Sequence, residues 1–309
     1  MMAIIYFCAL IFIFLWSMGL LRKGLMALAS SRIEKSLLLF TDHPVKAFLV
    51  SIVFTGVLQS SSAFMVIVIG FVSTGILSFK KSIPMILGTN IGSTFTTEFI
   101  AIKMDVFMWV LIIAGIVFIL FGRTSFRHAG KSLFGLGMIF FCIQGFSKIA
   151  GMMTSQPETL RFLEMMQHSD WTALLSGTIF TAIVHSSSVC IGILMGFMNE
   201  GTVALQEGIS FVLGSNIGTC ITAVIAAISG GYAARQTAYA HVVFNVLGVL
   251  LCLPFLALIT EVVALLASSP AQQIAHFSLL FNVASSLLFF PFIRPFHALI
   301  LCLMPNQSK

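Results

Sequence analysis

Apolar stretches long enough to cross a membrane recur along the whole chain and are separated by short polar segments. A helix needs about 20 apolar residues to cross the hydrocarbon core of a bilayer. The pattern therefore predicts an all-α polytopic membrane protein with a single membrane domain over residues 1–309. The last apolar piece, Phe296–Met304, is too short to cross and is expected to lie at the interface. Single spans are predicted at Ala3–Leu21, Ile83–Ile102, Val106–Phe121, Ser132–Ala150, Ile209–Ile228, Thr237–Leu258 and Ile274–Phe292.

Two further apolar stretches have a polar centre. Val45–Leu77 would be roughly 50 Å long as one straight helix, which exceeds a hydrocarbon core of about 30 Å, and it is too short for two full spans. Its centre is Gln59–Ser62, and the centre of Trp171–Met198 is His185–Ser188. Each stretch is therefore predicted to be a re-entrant helical hairpin, at 45–77 and 171–198, with its polar tip at membrane depth.

These two regions belong to an internal repeat. Thr55–Ser62 matches Thr181–Ser188, and the Gly-x-Asn-Ile-Gly element at Gly88–Gly92 matches Gly214–Gly218, both 126 residues later. Aligned without gaps, the 46 positions from Thr55 contain 15 identities. Repeat 1 is predicted over 3–126, repeat 2 over 129–258, and an additional C-terminal helix and tail over 274–309. Because three spans separate the hairpins, these enter from opposite faces, which predicts inverted-topology repeats.

Composition and charge agree with this topology. The chain is 59% hydrophobic and 8% charged, with a mean hydropathy of +1.08, which excludes an ordinary soluble domain. With the N-terminus outside, 13 of the 16 Lys and Arg residues are cytoplasmic, and only Lys103, Lys148 and Arg161 lie outside. The net charge of +6 therefore reflects topology and not nucleic-acid binding. The six cysteines have no metal-like spacing, so no transition-metal site is predicted.

The polar tips predict an ion-binding site. The N-terminus of a half-helix offers free N–H groups and a positive dipole to an anion, and three hydroxyls add donors. Carbonyl and side-chain oxygens suit a small hard cation. One such serine cluster could simply hold helices together, but two at the same spacing favour a site. The predicted anion ligands are Ser60, Ser61, Ser62, Asn90, Ser186, Ser187, Ser188 and Asn216.

The paired motifs resemble those of the type II sodium/phosphate cotransporters, including their short bacterial members. That family carries Gln-Ser-Ser-Ser followed by Gly-x-Asn-Ile-Gly-Thr-like elements in each repeat. The segments at Ala240–Asn245 and Ala275–Asn282 are also similar to the family. The resemblance covers about residues 15–291. It implies a sodium-coupled inorganic phosphate symporter that works by alternating access in the cell membrane, which in a bacterium is the inner membrane. It implies sodium as the coupling ion and no other cofactor. The implied sodium ligands are Gln59, Thr89, His185 and Ser215.

One position departs from the family pattern, because His185 replaces the usual glutamine of the second motif. Imidazole can be protonated and so add positive charge beside an anion. The sequence leaves three alternatives open: a different oxyanion as the substrate, a proton as the coupling ion, or a passive anion channel. It also leaves open the sodium-to-phosphate stoichiometry and the oligomeric state. Glu98 and His276 are expected either near the interface or in ion binding, and His241 with Asn245 in interhelical hydrogen bonding. No Gly-x-Ser-x-Gly motif is present, and an enzyme is not expected.

Overall fold

The fold was taken from a computed structural model, which describes residues 2–29, 42–102, 105–153 and 156–305. Over these residues the chain forms helices and turns without a strand. The α-helices are α1 Met2–Ala29, α2 Pro44–Leu58, α3 Ser61–Ser73, α4 Phe79–Ala101, α5 Asp105–Phe121, α6 Thr124–Met153, α7 Pro157–His168, α8 Asp170–Val184, α9 Ser187–Asn199, α10 Leu205–Ala227, α11 Tyr232–Cys252, α12 Leu256–Leu266, α13 Pro270–Phe289 and α14 Ile293–Leu303. Single 3₁₀ turns, Leu253–Phe255 and Phe290–Phe292, join α11 to α12 and α13 to α14.

The described part contains five helical segments that are long and apolar enough to cross a membrane. They are Met2–Leu28, Thr124–Met152, Leu205–Ala227, Tyr232–Leu266 and Pro270–Leu303. Many large apolar side chains on these helices are exposed, as expected where the surrounding medium is lipid and not water. The prediction of an all-α polytopic membrane protein is confirmed.

The two stretches with polar centres are each broken into two short helices. Helices α2 and α8 have 15 residues each, and α3 and α9 have 13 each. At 1.5 Å per residue these are about 20 Å long, shorter than a hydrocarbon core of about 30 Å. The helices α4 and α10 that follow have 23 residues each, and the bounds of all three pairs differ by 126.

Close packing at glycine fixes the half-helices onto their neighbours. A side chain at Gly88 in α4 would collide with Ser51 and with the carbonyl of Phe48 in α2. A side chain at Gly214 in α10 would collide with the carbonyl of Leu174 in α8. These two glycines open the Gly-x-Asn-Ile-Gly elements, so each element brings its long helix against the half-helix that leads to a polar tip.

The remaining helices surround this centre in two apolar clusters. In the first, α1 packs along α6, and Phe14, Phe146 and Met195 are fully buried where these helices meet α9. The second joins α3 and α4 to α10 and α11 around residues such as Met65 and Phe244.

Several helix bounds differ from the sequence prediction. Helix α1 runs on from the predicted end at Leu21 to Ala29, because Gly24 and the apolar residues after it continue the helix past two basic residues. Helices α7 and α12 were not predicted at all. Helix α7 begins with Pro157 in its first turn and has only two buried residues, so its sequence is too polar to be recognised as a span. Helix α14 begins at Ile293, before the predicted start at Phe296. Arg32, Lys35, Lys103 and Lys309, used in the charge count, lie outside the described residues.

Candidate functional site

Both short-helix pairs break at a residue with left-handed backbone geometry. Helix α2 ends at Gln59, with φ 51°, and helix α8 ends at His185, with φ 57°. They are the only non-glycine residues with positive φ among those the structure describes. Ser60 and Ser186 then adopt an extended conformation, and α3 and α9 begin at the next serine. Two separate parts of the chain thus present a serine cluster with the same local backbone geometry.

The two tips meet in one small polar cavity of about 20 Å³. Its polar lining contains both tip motifs, two hydroxyl side chains of α4, and one arginine of α1. The lining residues are Arg22, Gln59, Ser60, Ser61, Ser62, Ser93, Thr96, His185, Ser186, Ser187 and Ser188. This volume is room for about one water molecule, so a larger anion requires the tips to separate.

The lining matches the chemistry of an oxyanion. Seven serine hydroxyls and a guanidinium can donate hydrogen bonds, and no acidic side chain among the described residues lines the cavity. Ser61 and Ser187 are the first residues of α3 and α9, where backbone N–H groups lack a partner within the helix. Ser60 accepts one of them, from Ala63 at 3.1 Å, whereas Ser186 makes no such cap.

The first tip is tied to α4, and the second is not tied to its equivalent. Thr96 in α4 donates a hydrogen bond to Oε1 of Gln59 at 2.7 Å, and Nε2 of Gln59 donates to the carbonyl of Gly56. Gln59 is buried, whereas His185 is exposed. Thr222, the counterpart of Thr96, donates instead to the carbonyl of Thr219 at 2.9 Å. The replacement of glutamine by histidine therefore coincides with a missing interhelical bond.

The predicted sodium ligands Thr89 and Ser215 lie behind the tips and not in the cavity lining. Thr55 in α2 donates to the hydroxyl of Thr89 at 2.9 Å. Thr181 in α8 and Ser215 are hydrogen-bonded at 2.8 Å. All four residues are fully buried, so each pair links a half-helix to the long helix that follows it.

Asn90 and Asn216 also face other helices and do not line the cavity. Asn90 donates to Oδ1 of Asn245 at 3.1 Å, and its own Oδ1 is 3.3 Å from Nε2 of His241. Asn282 donates to Oδ1 of Asn216 at 3.5 Å. The prediction of interhelical hydrogen bonding by His241 and Asn245 is confirmed.

Glu98 and His276 form a pair with each other. Nδ1 of His276 is 3.0 and 3.1 Å from the two carboxylate oxygens of Glu98, and the pair connects the end of α4 to α13. Neither residue lines the cavity between the tips.

Arg22 is one of three lining residues, with Ser93 and Thr96, that sequence reasoning missed. It was counted as a loop charge because the apolar stretch pauses at Arg22 and Lys23. The structure places it inside α1 with its side chain in the cavity, where its Nε is buried without a hydrogen-bond partner. The signal that could have found it is the apolar run Leu25–Leu28, which allows the helix to continue past the charge.

Larger cavities of about 440, 390, 450 and 370 Å³ lie elsewhere among the helices. Their linings are mostly apolar and do not bring together several polar groups that could recognise an ion. The small cavity between the tips is therefore the candidate site.

Comparison with known proteins finds a family model that matches most of this chain. The family model described as Na+/Pi-cotransporter matches residues 13–148 and 150–289, which covers both tip motifs. This chain belongs to the Na+/Pi-cotransporter family. The resemblance noted from the two serine motifs is confirmed, and the family is one of membrane transporters and not of enzymes.

Relatives of this chain include bacterial and mammalian proteins. An uncharacterised protein of Bacillus subtilis (strain 168), YqeW, is 65% identical over 87% of this chain and 88% of its own length. The Escherichia coli (strain K12) "Putative inorganic phosphate export protein YjbB" is 23% identical over 84% of this chain, which spans about half (48%) of that protein. The human "Sodium-dependent phosphate transport protein 2B" is 41% identical over 88 residues, 27% of this chain and 13% of that protein. No solved structure is significantly similar to this chain.

Proposed function

We propose that this chain carries inorganic phosphate across the cell membrane together with sodium, as a symporter that works by alternating access. One observation carries the proposal: Gln59–Ser62 and His185–Ser188, 126 residues apart in the chain, line one cavity. The family description names phosphate and sodium, and the human relative is named as sodium-dependent. In a bacterium this location is the inner membrane.

In this proposal the anion lies between the two serine clusters. The hydroxyls of Ser60, Ser61, Ser62, Ser186, Ser187 and Ser188 replace the water shell of phosphate, and the first turns of α3 and α9 add N–H donors and a favourable dipole. Asn90 and Asn216 act one layer further out, where their present hydrogen bonds hold α4 and α10 against α11 and α13.

Sodium is assigned to side-chain oxygens at and behind the tips. Gln59 and His185 stand at the two breaks, and Thr89 and Ser215 already pair with hydroxyls of the half-helices. A cation there would neutralise part of the anion's charge and link the position of each half-helix to ion occupancy. Coupling then arises because sodium binds more tightly to one arrangement of the tips than to the other.

The half-helices support re-entrance and an inverted repeat. Neither α2 with α3 nor α8 with α9 contains a helix long enough to cross alone. The long helices α4, α5 and α6 lie between the two pairs, so a crossing by each would bring the pairs in from opposite faces. Broken helices that meet near the midplane are the usual ion site of such transporters.

The cavity supports alternating access over an open pore. Because its volume of about 20 Å³ admits no phosphate ion, passage requires the tips to rearrange. A channel would need a continuous wide path instead.

Purified protein in proteoliposomes tests this function. Labelled phosphate should accumulate above equilibrium when an inward sodium gradient is present and should only equilibrate, or not enter, when choline replaces sodium. Equilibration at the same rate in both buffers would indicate a channel. Accumulation that persists in choline but stops with a protonophore would indicate proton coupling, and stronger competition by sulfate than by unlabelled phosphate would indicate another oxyanion.

The relatives named for phosphate export favour net transport out of the cell as a second possibility. Loading the same vesicles with phosphate and reversing the sodium gradient tests whether the protein carries phosphate outwards. A symporter moves phosphate along with sodium in either orientation, so efflux should follow the outward sodium gradient.

A further inference from the structure

The cavity between the serine tips contains a permanent positive charge. Among the described residues, Arg22 in α1 is the one Arg or Lys in its lining, and no Asp or Glu lines it. Its Nε is buried and has no hydrogen-bond partner. An arginine that served only to mark the cytoplasmic end of a helix would extend its donors towards water or lipid headgroups.

Nothing else in the described part of the chain balances this charge. The ion pairs found there join Lys81 to Asp42 and His276 to Glu98, and neither includes Arg22. Guanidinium remains protonated at all physiological pH values. Arg22 is half-buried, with its Nε fully enclosed. Enclosing part of a guanidinium without a counter-charge is unfavourable, and in a membrane protein such residues mark ion pathways.

The neighbouring residue provides the contrast. Lys23 is exposed, so it can supply the topological charge at this end of α1 by itself. Arg22 instead projects among hydroxyl groups, which carry no charge and therefore cannot neutralise its positive charge. The lining is thus rich in donors around a fixed cation, and the group that completes it is an anion with several acceptor oxygens.

We propose that Arg22 is the fixed cationic ligand of the anion site. This rests on the proposed phosphate transport and adds a residue and a charge balance to it. The planar guanidinium fork matches two oxygens of phosphate, whereas an ammonium makes a single point contact.

Equilibrium binding of labelled inorganic phosphate to the purified full-length protein tests the proposal. Affinity is measured in sodium buffer for wild type, Arg22→Gln, Arg22→Lys and the matched control Lys23→Gln. Wild type and Lys23→Gln should bind phosphate with the same affinity. Arg22→Gln should lose about tenfold to a hundredfold in affinity. Arg22→Lys should fall between them, because it keeps the charge and loses the fork.

The outcomes separate this inference from the proposed function. Wild-type affinity in Arg22→Gln would overturn the role of Arg22 while phosphate transport stands. No phosphate binding and no uptake by wild type would contradict the proposed function itself, and the inference with it. If Arg22→Gln does not fold, Arg22→Lys decides: unchanged affinity overturns the proposal, and several-fold weaker binding at an unchanged melting temperature supports it.

Discussion

Thr96 donates a hydrogen bond of 2.7 Å to Oε1 of Gln59, so the first tip is tied to the long helix that follows it. In the second half of the chain, His185 stands at the equivalent break and Thr222 bonds within its own helix. The two tips thus share a backbone shape but differ in how firmly a side chain holds them.

This asymmetry predicts different effects of two identical substitutions. Thr96→Val removes the bond to Gln59 and should slow phosphate uptake about twofold to tenfold, the usual effect of one lost hydrogen bond. Thr222→Val is the matched control and should stay near wild type, because its hydroxyl bonds only to a nearby carbonyl. Uptake by both variants in proteoliposomes is the measurement. Equal loss in the two variants would contradict the asymmetry.

The serine hydroxyls predict a loss of transport without a loss of folding. Ser61 and Ser187 begin α3 and α9 and line the cavity, so Ser61→Ala and Ser187→Ala each remove a donor to the anion. Uptake should fall about tenfold or more, as expected for a hydrogen bond to a charged group. Ser73→Ala, at the far end of α3, is the control. Full activity of both tip variants at normal membrane expression would count against the site.

The glycine contacts predict a large cost for the smallest possible substitution. Gly88→Ala and Gly214→Ala place a methyl group against a backbone carbonyl of the neighbouring half-helix. Such overpacking costs about 1–3 kcal/mol, so the melting temperature in detergent should fall clearly. Gly19→Ala in α1 has open space around it and should match or exceed wild-type stability. A loss at Gly19 as large as at Gly88 would show that contact with the half-helix is not what makes Gly88 and Gly214 sensitive.

The sequence was sufficient to predict the tips because their signal is local. A polar run in the middle of an apolar stretch of intermediate length requires a break, and the breaks occur at Gln59 and His185. The sequence was insufficient to predict which neighbouring helix each face of a helix contacts. Asn90 and Thr89 follow one another on α4 and both contact other helices, a fact that depends on rotation about the helix axis and on packing.

Arg22 and α7 were missed for a different reason. A basic residue at the end of an apolar stretch has the same local pattern whether it faces water or a cavity. Only the placement of α1 against the two tips separates these cases. Helix α7 is too short and polar for a hydropathy criterion, although Pro157 and Glu158 in its first turn are typical of a helix start.

The left-handed joints at Gln59 and His185 place conformational strain beside the proposed ion site. An L-residue in this region costs roughly 1–2 kcal/mol, which glycine avoids. Glycine at either joint would therefore favour a more heat-resistant molecule that has lost an ion-facing side chain. Screens for thermostable variants would tend to enrich such inactive forms, so at these two positions durability and turnover are opposed.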